Sequence, residues 1–325
     1  MQMTCIMWLL LLVAIALFCL FRWNERHLIL PNLLDKYVLI TGCDSGFGNT
    51  AAKQLDKHGM HVLAACLTQK GAESLKKETS SRLQTVILDV TDSESVNAAA
   101  AWVAAIVGEK GLWGVVNNAG ISVPSAPNEW LTKEDFCKIL NVNLLGVIDV
   151  TLKMLPMIRR ARGRVVNVAS IAGRLTICGG GYCMSKYGVE SFSDSLRREM
   201  KPFGVKVCII EPGFFATQVT DAKLIKDSIN KAWSRAPDEI HRSYGQKFYE
   251  QYCKTVDLSL SASNAKLSLV SDAMEHALTA VRPKTRYSAG WDAKLLYLPL
   301  SYLPTVITDF LIVNVFPRLA KISHK

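Results

Sequence analysis

Several chemistries are excluded by what this chain lacks. Its nine cysteines are odd in number and irregular in spacing, and no Cys-x-x-Cys pair occurs. That argues against a disulfide framework or a zinc site, and no metal is expected. No Asn-x-Ser/Thr sequon is present, which favours a cytosolic setting for the bulk of the protein. No Gly-Lys-Ser/Thr follows a glycine loop, so a P-loop is ruled out. There is no Gly-x-Ser-x-Gly elbow, and the histidines (His27, His58, His61, His241, His276, His324) lie far in sequence from the strand-end serine discussed below. Hydrolysis by a Ser–His–Asp set is therefore set aside. Charged residues make up only 20% of the 325 residues and half are hydrophobic, with no repeat and no low-complexity linker. Disorder throughout is excluded, and one large α/β domain is within reach.

The net charge of +10 suits anionic partners: nucleotide phosphates, acidic lipid headgroups or nucleic acid. Nucleic acid would need clustered base with exposed aromatics. The densest basic run, Arg159 to Arg164, reads instead as the end of a helix or a face toward acidic lipid, so no nucleic-acid partner is expected. Two apolar stretches lie at the ends. Met3 to Phe21 carries no charge and is followed by Arg22, Arg26 and His27. As a helix it would be about 29 Å long, enough for a hydrocarbon core. It is read as a retained membrane anchor (residues 1–21, then a linker over 22–35) with the chain beyond it in the cytosol. A luminal orientation and a cleaved signal peptide are the rivals. The second stretch, Leu295 to Phe316, is interrupted by Pro299, Pro304, Asp309 and Asn314. A second span is disfavoured, because a central Asp costs about 2.5–3.5 kcal/mol on insertion scales. Residues 291–325 are read as a flap over a pocket, a segment in the membrane interface, or a helix completing the core.

Between the ends, short β-branched runs alternate with helical periods. Strands are expected at Tyr37–Thr41, His61–Cys66, Thr85–Asp89, Gly114–Asn117, Arg164–Ala169, Val205–Glu211 and Arg286–Ala289. Helical patterns cover Thr50–His58, Ser93–Val107, Lys133–Arg160 and Lys186–Met200. Strict alternation of β and α implies an α/β, Rossmann-type, doubly wound seven-stranded parallel sheet in a single domain, residues 36–290. The stretch 217–267, with Trp233, Tyr244, Phe248, Tyr249 and Tyr252, looks like an insertion that builds an apolar substrate pocket.

The first strand runs into Thr41-Gly42-Cys43-Asp44-Ser45-Gly46-Phe47-Gly48, and a helix follows. Glycines permit a tight turn and close approach of backbone to a pyrophosphate, and the helix N-terminus adds donors and dipole. In this strand–loop–helix context the loop predicts a dinucleotide site. At the end of the second strand, where an acid would hold an NAD ribose, stand Cys66 and Leu67. Ser45 and Leu67 are not basic either, although Lys70 could reach in. The lack of an Arg favours NAD, with NADP not excluded. Asp89, followed by Val90, suits an adenine amino group or, alternatively, a helix start.

Tyr182 and Lys186 are four residues apart, on one face of a helix. Ser170 ends a strand twelve residues before Tyr182, and Gly179, Gly180 and Gly181 lie between. A cation at about 4 Å in an effective dielectric of about 20 is worth about 4 kcal/mol. That would bring the phenol from near 10 to about 7, where acid–base catalysis works best.

These motifs, with Asn117-Asn118-Ala119-Gly120, Asn143 and Pro212-Gly213, resemble the short-chain dehydrogenase/reductase family over residues 36–290. The runs Gly42 to Asn49, Leu63 to Thr68 and Gly180 to Glu190 resemble its membrane-bound retinol and hydroxysteroid dehydrogenase branch. The resemblance implies Tyr182 as general base in oxidation and acid in reduction. It implies Lys186 as the group that depresses the Tyr182 pKa and holds the nicotinamide ribose, and Ser170 as a hydrogen-bond partner of the substrate oxygen. Asn143 would position a water for proton relay. Asn117, Ala119 and Gly120 would line the adenosine side, with Asn117 and Asn118 also tying strands together. Pro212, Gly213 and Thr217 would close over the nicotinamide amide. Implied substrates are a lipophilic alcohol or its carbonyl: all-trans-retinol, or a 3α- or 17β-hydroxysteroid. With NAD kept mostly oxidised in cells, oxidation would be the working direction. The branch further implies an endoplasmic-reticulum membrane and lipid contact, and the Lys133–Arg160 and Lys186–Met200 helices resemble those that pair subunits in the family. A catalytically idle nucleotide-binding relative, serving as sensor or scaffold, is the alternative.

Overall fold

A computed structural model describes residues 7–8, 12–14 and 28–314. Most of the expected anchor, 1–21, and the chain beyond 314 lie outside the described residues. Among the described residues seven strands form one all-parallel sheet in the order β3-β2-β1-β4-β5-β6-β7. They are β1 Tyr37–Thr41, β2 His61–Cys66, β3 Leu83–Ile87, β4 Gly114–Asn117, β5 Arg164–Val168, β6 Lys206–Pro212 and β7 Arg286–Ala289. The helices that flank them are α1 Gly46–Lys57, α2 Gln69–Lys77, α3 Ser93–Val107, α4 Lys133–Leu140, α5 Gly146–Ala161, α6 Gly181–Glu199, α7 Ala222–Ser234, α8 Asp238–Ser261, α9 Ser268–Thr279, α10 Leu298–Ser301 and α11 Thr305–Val313.

The strands are apolar on both sides because both sides are covered. Val38 and Ile40 of β1 point with Val62, Ala64 and Val116 toward α1, α2 and α9. Leu39, between them, points with Leu63, Val115 and Val165 toward α3, α5 and α6. Lys133 to Ala161 is the one stretch, among the described residues, long and apolar enough as a helix to cross a membrane. Its apolar face, Val150, Met154, Met157 and Ile158, is buried on the sheet, so it is a core element here.

Two features depart from expectation. The third strand starts two residues early, because Leu83 pairs with Val62 and the chain leaves the sheet before Asp89. Arg164, read as part of a surface basic run, is buried, and its guanidinium donates to the carbonyls of Ala277 and Ala280, each at 2.6 Å. It thus satisfies the C-terminal carbonyls of α9 rather than facing lipid, at a desolvation cost that pulls its pKa down to about 10.

The order of strands reverses between β1 and β4, where consecutive connections run to opposite faces of the sheet. A crevice opens there beyond the carboxyl ends of the strands, and that is where the site lies.

Candidate active site

The loop after β1 is built for close approach. Gly42 has φ +70, and a Cβ on it would come within 2.8 Å of the Ala119 Cα. A Cβ on Gly48 would collide with the Gly42 carbonyl. Asn118 donates from its side chain to the carbonyls of Thr41 (3.0 Å) and Gly42 (3.1 Å), while the Thr41 hydroxyl accepts from the amides of Asn118 and Ala119. The loop is thereby clamped between β1 and β4. Ser45, at the cap position of α1, lends its side chain to none of the first-turn N–H groups. Those donors are left to face a cleft of about 1160 Å³ lined by Ser45, Gly46 and Phe47.

Of the residues expected to bind a dinucleotide, Gly42, Asp44, Ser45, Gly46, Phe47, Leu67, Asp89, Val90, Ala119, Gly120, Tyr182, Lys186, Pro212, Gly213 and Thr217 line this cleft. Three do not. Cys66 is fully buried in the core under β2, because its side chain falls on the inner face of the pleat and only Leu67 emerges. Gly48 lies behind the loop, packed on Gly42. Asn117 is buried and donates to Thr151 and Asn167, both at 2.8 Å, so it ties β4 to β5 and α5 instead of touching a ligand. Asp44 accepts from the amides of Leu67 (2.7 Å) and Thr68 (3.0 Å), pinning the end of β2 to the loop. Asp89 spends one oxygen on the Thr91 amide and hydroxyl, and Asp92 caps α3 in its place.

At the far end of the cleft, Ser170 follows β5, and Tyr182 and Lys186 sit one turn apart on α6. The Ser170 hydroxyl accepts from the Ala172 amide at 3.1 Å and donates to the Pro212 carbonyl at 3.4 Å, and it lies within reach of the Tyr182 phenol. Lys186 is buried and donates to the Val168 carbonyl at 2.8 Å, with its ammonium 5.7 Å from the centre of the Tyr182 ring. Burial pulls Lys186 down to about 8. The expected depression of Tyr182 is not found: burial raises the phenol above its ordinary value, the Ser170 bond opposes this, and both Cys178 and Cys183 add to the rise. A coulombic argument at 4 Å overstates the lysine, whose ammonium is drawn to a carbonyl rather than to the phenolic oxygen. Asn143 sits in a π-helical turn, Asn141–Leu145, between α4 and α5, a distortion that often marks functional positions. Its amide is fully engaged, accepting from Ile121 N and donating to Ile121 O, both 2.8 Å, and reaching Ser185 at 3.2 Å. It stands behind the cleft and holds the loop at Ile121 to α6 through Ser185.

A second cavity of about 210 Å³ shares Ser170 and Tyr182 with the cleft. Its walls come from Ile177 and Cys178, from Ile225 and Ile229 of α7, from Tyr252 and Val256 of α8, and from Tyr297 and Ile312. Sequence reasoning found the insertion but not this wall. Trp233, Tyr244, Phe248 and Tyr249 instead pack around the buried Trp130, and of the five aromatics only Tyr252 reaches the chamber. The signal available beforehand was the helical spacing of Ile225 and Ile229 and of Tyr252 and Val256.

A clamped glycine loop under a free helix end and a Ser–Tyr–Lys set at the mouth of an apolar chamber make an oxidoreductase site of the dinucleotide-dependent kind. The short chain dehydrogenase family profile matches residues 36–227, and the chain belongs to that family. It is similar to retinol dehydrogenase 7 of Rattus norvegicus, 60% identical over 94% of this chain and 96% of the relative. It is also similar to retinol dehydrogenase 16 of Homo sapiens, at 59% over 97% and 99%, and to 17-beta-hydroxysteroid dehydrogenase type 6 of Rattus norvegicus, at 56% over 94% and 96%. Among solved structures, a short-chain dehydrogenase from Streptomyces avermitilis matches with TM-score 0.68 and 25% identity, over 86% of this chain and 97% of that one. The chain is therefore a short-chain alcohol dehydrogenase, and its family and fold imply a nicotinamide cofactor.

Proposed function

We propose that this enzyme oxidises a lipophilic alcohol, all-trans-retinol or a 3α- or 17β-hydroxysteroid, with NAD, at the cytosolic face of the endoplasmic-reticulum membrane. The observation that carries this reading is that Ser170 and Tyr182 belong at once to the large polar cleft and to the small apolar chamber. A substrate hydroxyl at that junction meets two hydroxyl groups, while its hydrocarbon body lies against Ile225, Ile229 and Tyr252. The names of the relatives support the substrate class.

The cleft suits a dinucleotide on its own features: the unused α1 donors, the glycine loop that a Cβ would obstruct, and a buried ammonium at its inner end. When bound, the nicotinamide accepts or gives the hydride. Gly42, Ser45, Gly46 and Phe47 would hold its phosphates and Lys186 its ribose. Asp44 supports NAD over NADP, because a further phosphate at the end of β2 would meet a carboxylate there, with Lys70 the opposing cation on the same wall. Ser170 donates to or accepts from the substrate oxygen, and Tyr182 exchanges the proton with it. In the resting site the raised phenol holds its proton, the state that protonates a carbonyl. For oxidation it must first lose that proton, and the Lys186 ammonium is the nearby charge on its helix that favours the loss.

The C-terminal segment supports a seat on the membrane surface. Tyr297 and Ile312 face the chamber, while Leu295 (75% exposed), Tyr302 (73%), Val306 (81%) and Phe310 (69%) face outward. The same segment serves as flap and as apolar contact, placing the chamber beside the phase in which such alcohols dissolve.

Tyr182→Phe tests the chemistry. Turnover of retinol and steroid is expected to fall by more than about 10³-fold, with NADH binding, read by fluorescence, within a few fold of wild type. Undiminished turnover would overturn the mechanism, and a substrate-by-cofactor matrix on microsomal protein separates retinoid from steroid and NAD from NADP.

A further inference from the structure

We propose that Cys178 and Cys183 form a reversible redox pair beside Tyr182, closed to a disulfide by a hydroperoxide that enters through the apolar chamber. The two sulfur atoms lie 3.5 Å apart. Cys178 is partly exposed and lines the chamber; Cys183 is buried in the first turn of α6, next in sequence to Tyr182. The segment between them is Gly179-Gly180-Gly181-Tyr182, and Gly180 takes φ +85. Gly180 supplies the positive-φ turn of this short loop, and Gly179 passes too close to the Ala126 carbonyl to carry a side chain.

The pair is also chemically poised. The contact with the Cys178 sulfur, across which either thiol can donate, and backbone hydrogen bonds at the start of α6 pull Cys183 down to about 6, while the same contact and burial push Cys178 up. With one proton held between the two sulfurs, one of them is a thiolate, the reactive form. At rest the thiolate lies on Cys183; either sulfur can hold the proton across the 3.5 Å contact, and its transfer from Cys178 to Cys183 presents a Cys178 thiolate to the chamber. It attacks one oxygen of the hydroperoxide; the O–O bond breaks, and the alkoxide takes a proton from solvent and leaves as the alcohol. The Cys183 sulfur then attacks the Cys178 sulfenic sulfur. The S–O bond breaks, and hydroxide leaves as water with the Cys183 proton. Two electrons pass from the two sulfurs to the peroxide, and a thiol reductant reverses the bond by exchange.

Bond formation draws the sulfurs well inside their present contact, and the first turn of α6 moves with Cys183. Tyr182 lies in that turn and is displaced from Ser170, so oxidation switches the enzyme off. The bond itself does not depend on the proposed alcohol chemistry; only its effect on turnover does.

The test treats the full-length protein in detergent with hydrogen peroxide, then blocks free thiols and digests it. The expected product is one peptide carrying an internal 178–183 disulfide, two hydrogens lighter than the reduced form. Turnover should fall more than tenfold and return with dithiothreitol. Cys183→Ala and Cys178→Ala, each compared with its own reduced state, should keep most of their turnover under the same dose. Alkylation of both cysteines after peroxide, or an equal fractional loss in both variants, would overturn the proposal. The mass measurement on the wild-type chain stands even where a variant fails to fold.

Discussion

The two ends of the catalytic crevice are made in different ways. The cleft beyond β1 and β4 is backbone work: glycines, amides, a helix end, and the Asn118 clamp on Thr41 and Gly42. The chamber beyond β5 and β6 is side-chain work, with walls drawn from α7, α8 and the C-terminal segment, up to 87 residues apart in sequence between Ile225 and Ile312. Backbone sites depend on local conformation and tolerate almost no added atom. Side-chain sites depend on packing between distant elements and can be reshaped one residue at a time.

Substitutions that break this contrast differ in size. The largest effect is expected of Gly48→Val, whose branched side chain would strike the Gly42 carbonyl and the Asn118 amide. Dinucleotide affinity should fall more than about 100-fold in a fluorescence titration, for every alcohol substrate alike. Ile229→Ala, in the chamber wall, should leave dinucleotide affinity unchanged while kcat/KM for a rigid steroid shifts by about tenfold, the size expected for a few methylenes in an apolar pocket. An equal change in dinucleotide affinity would show that the two ends are coupled. The smallest effect concerns neither end directly. Glu190, one turn beyond Lys186, is pushed up to about 7 by burial and by the nearby Glu211 carboxylate, against the pull of Arg286. Its folded state holds a proton that the unfolded chain releases near 4.5. The stability this contributes is fully present below that value and is lost as pH rises through about 7. Glu190→Gln should flatten that decline in urea midpoints measured from pH 5 to 8.

The local machinery was readable because its signals are local. The Gly42–Gly48 loop, the Tyr182/Lys186 spacing and the apolar runs of β1, β2 and β4 each need only a few neighbouring residues to be understood. Where the reading failed, the reason was direction or charge. Cys66 and Leu67 are adjacent, and which of them emerges from the sheet depends on the pleat. Asn117 and Asn118 are adjacent as well: the strand tie expected of Asn117 is present, but its side chain does not reach the cleft, while Asn118 clamps the loop. The phenol of Tyr182 was expected to be acidic because an ammonium is one turn away, yet burial outweighs that charge once Lys186 turns to the Val168 carbonyl.

By itself, the order of residues determined that a parallel sheet would form, where its strands would start to within about two residues, and which glycine loop would line the cleft. These follow from periodicity and backbone freedom, which are properties of short stretches of chain. Only the tertiary structure decided which side chains enter the cleft, which aromatics wall the chamber and which merely surround Trp130, and how protons are held among Ser170, Tyr182 and Lys186. Those outcomes depend on desolvation and on contacts between segments far apart in the chain, and neither is set until the whole molecule has packed.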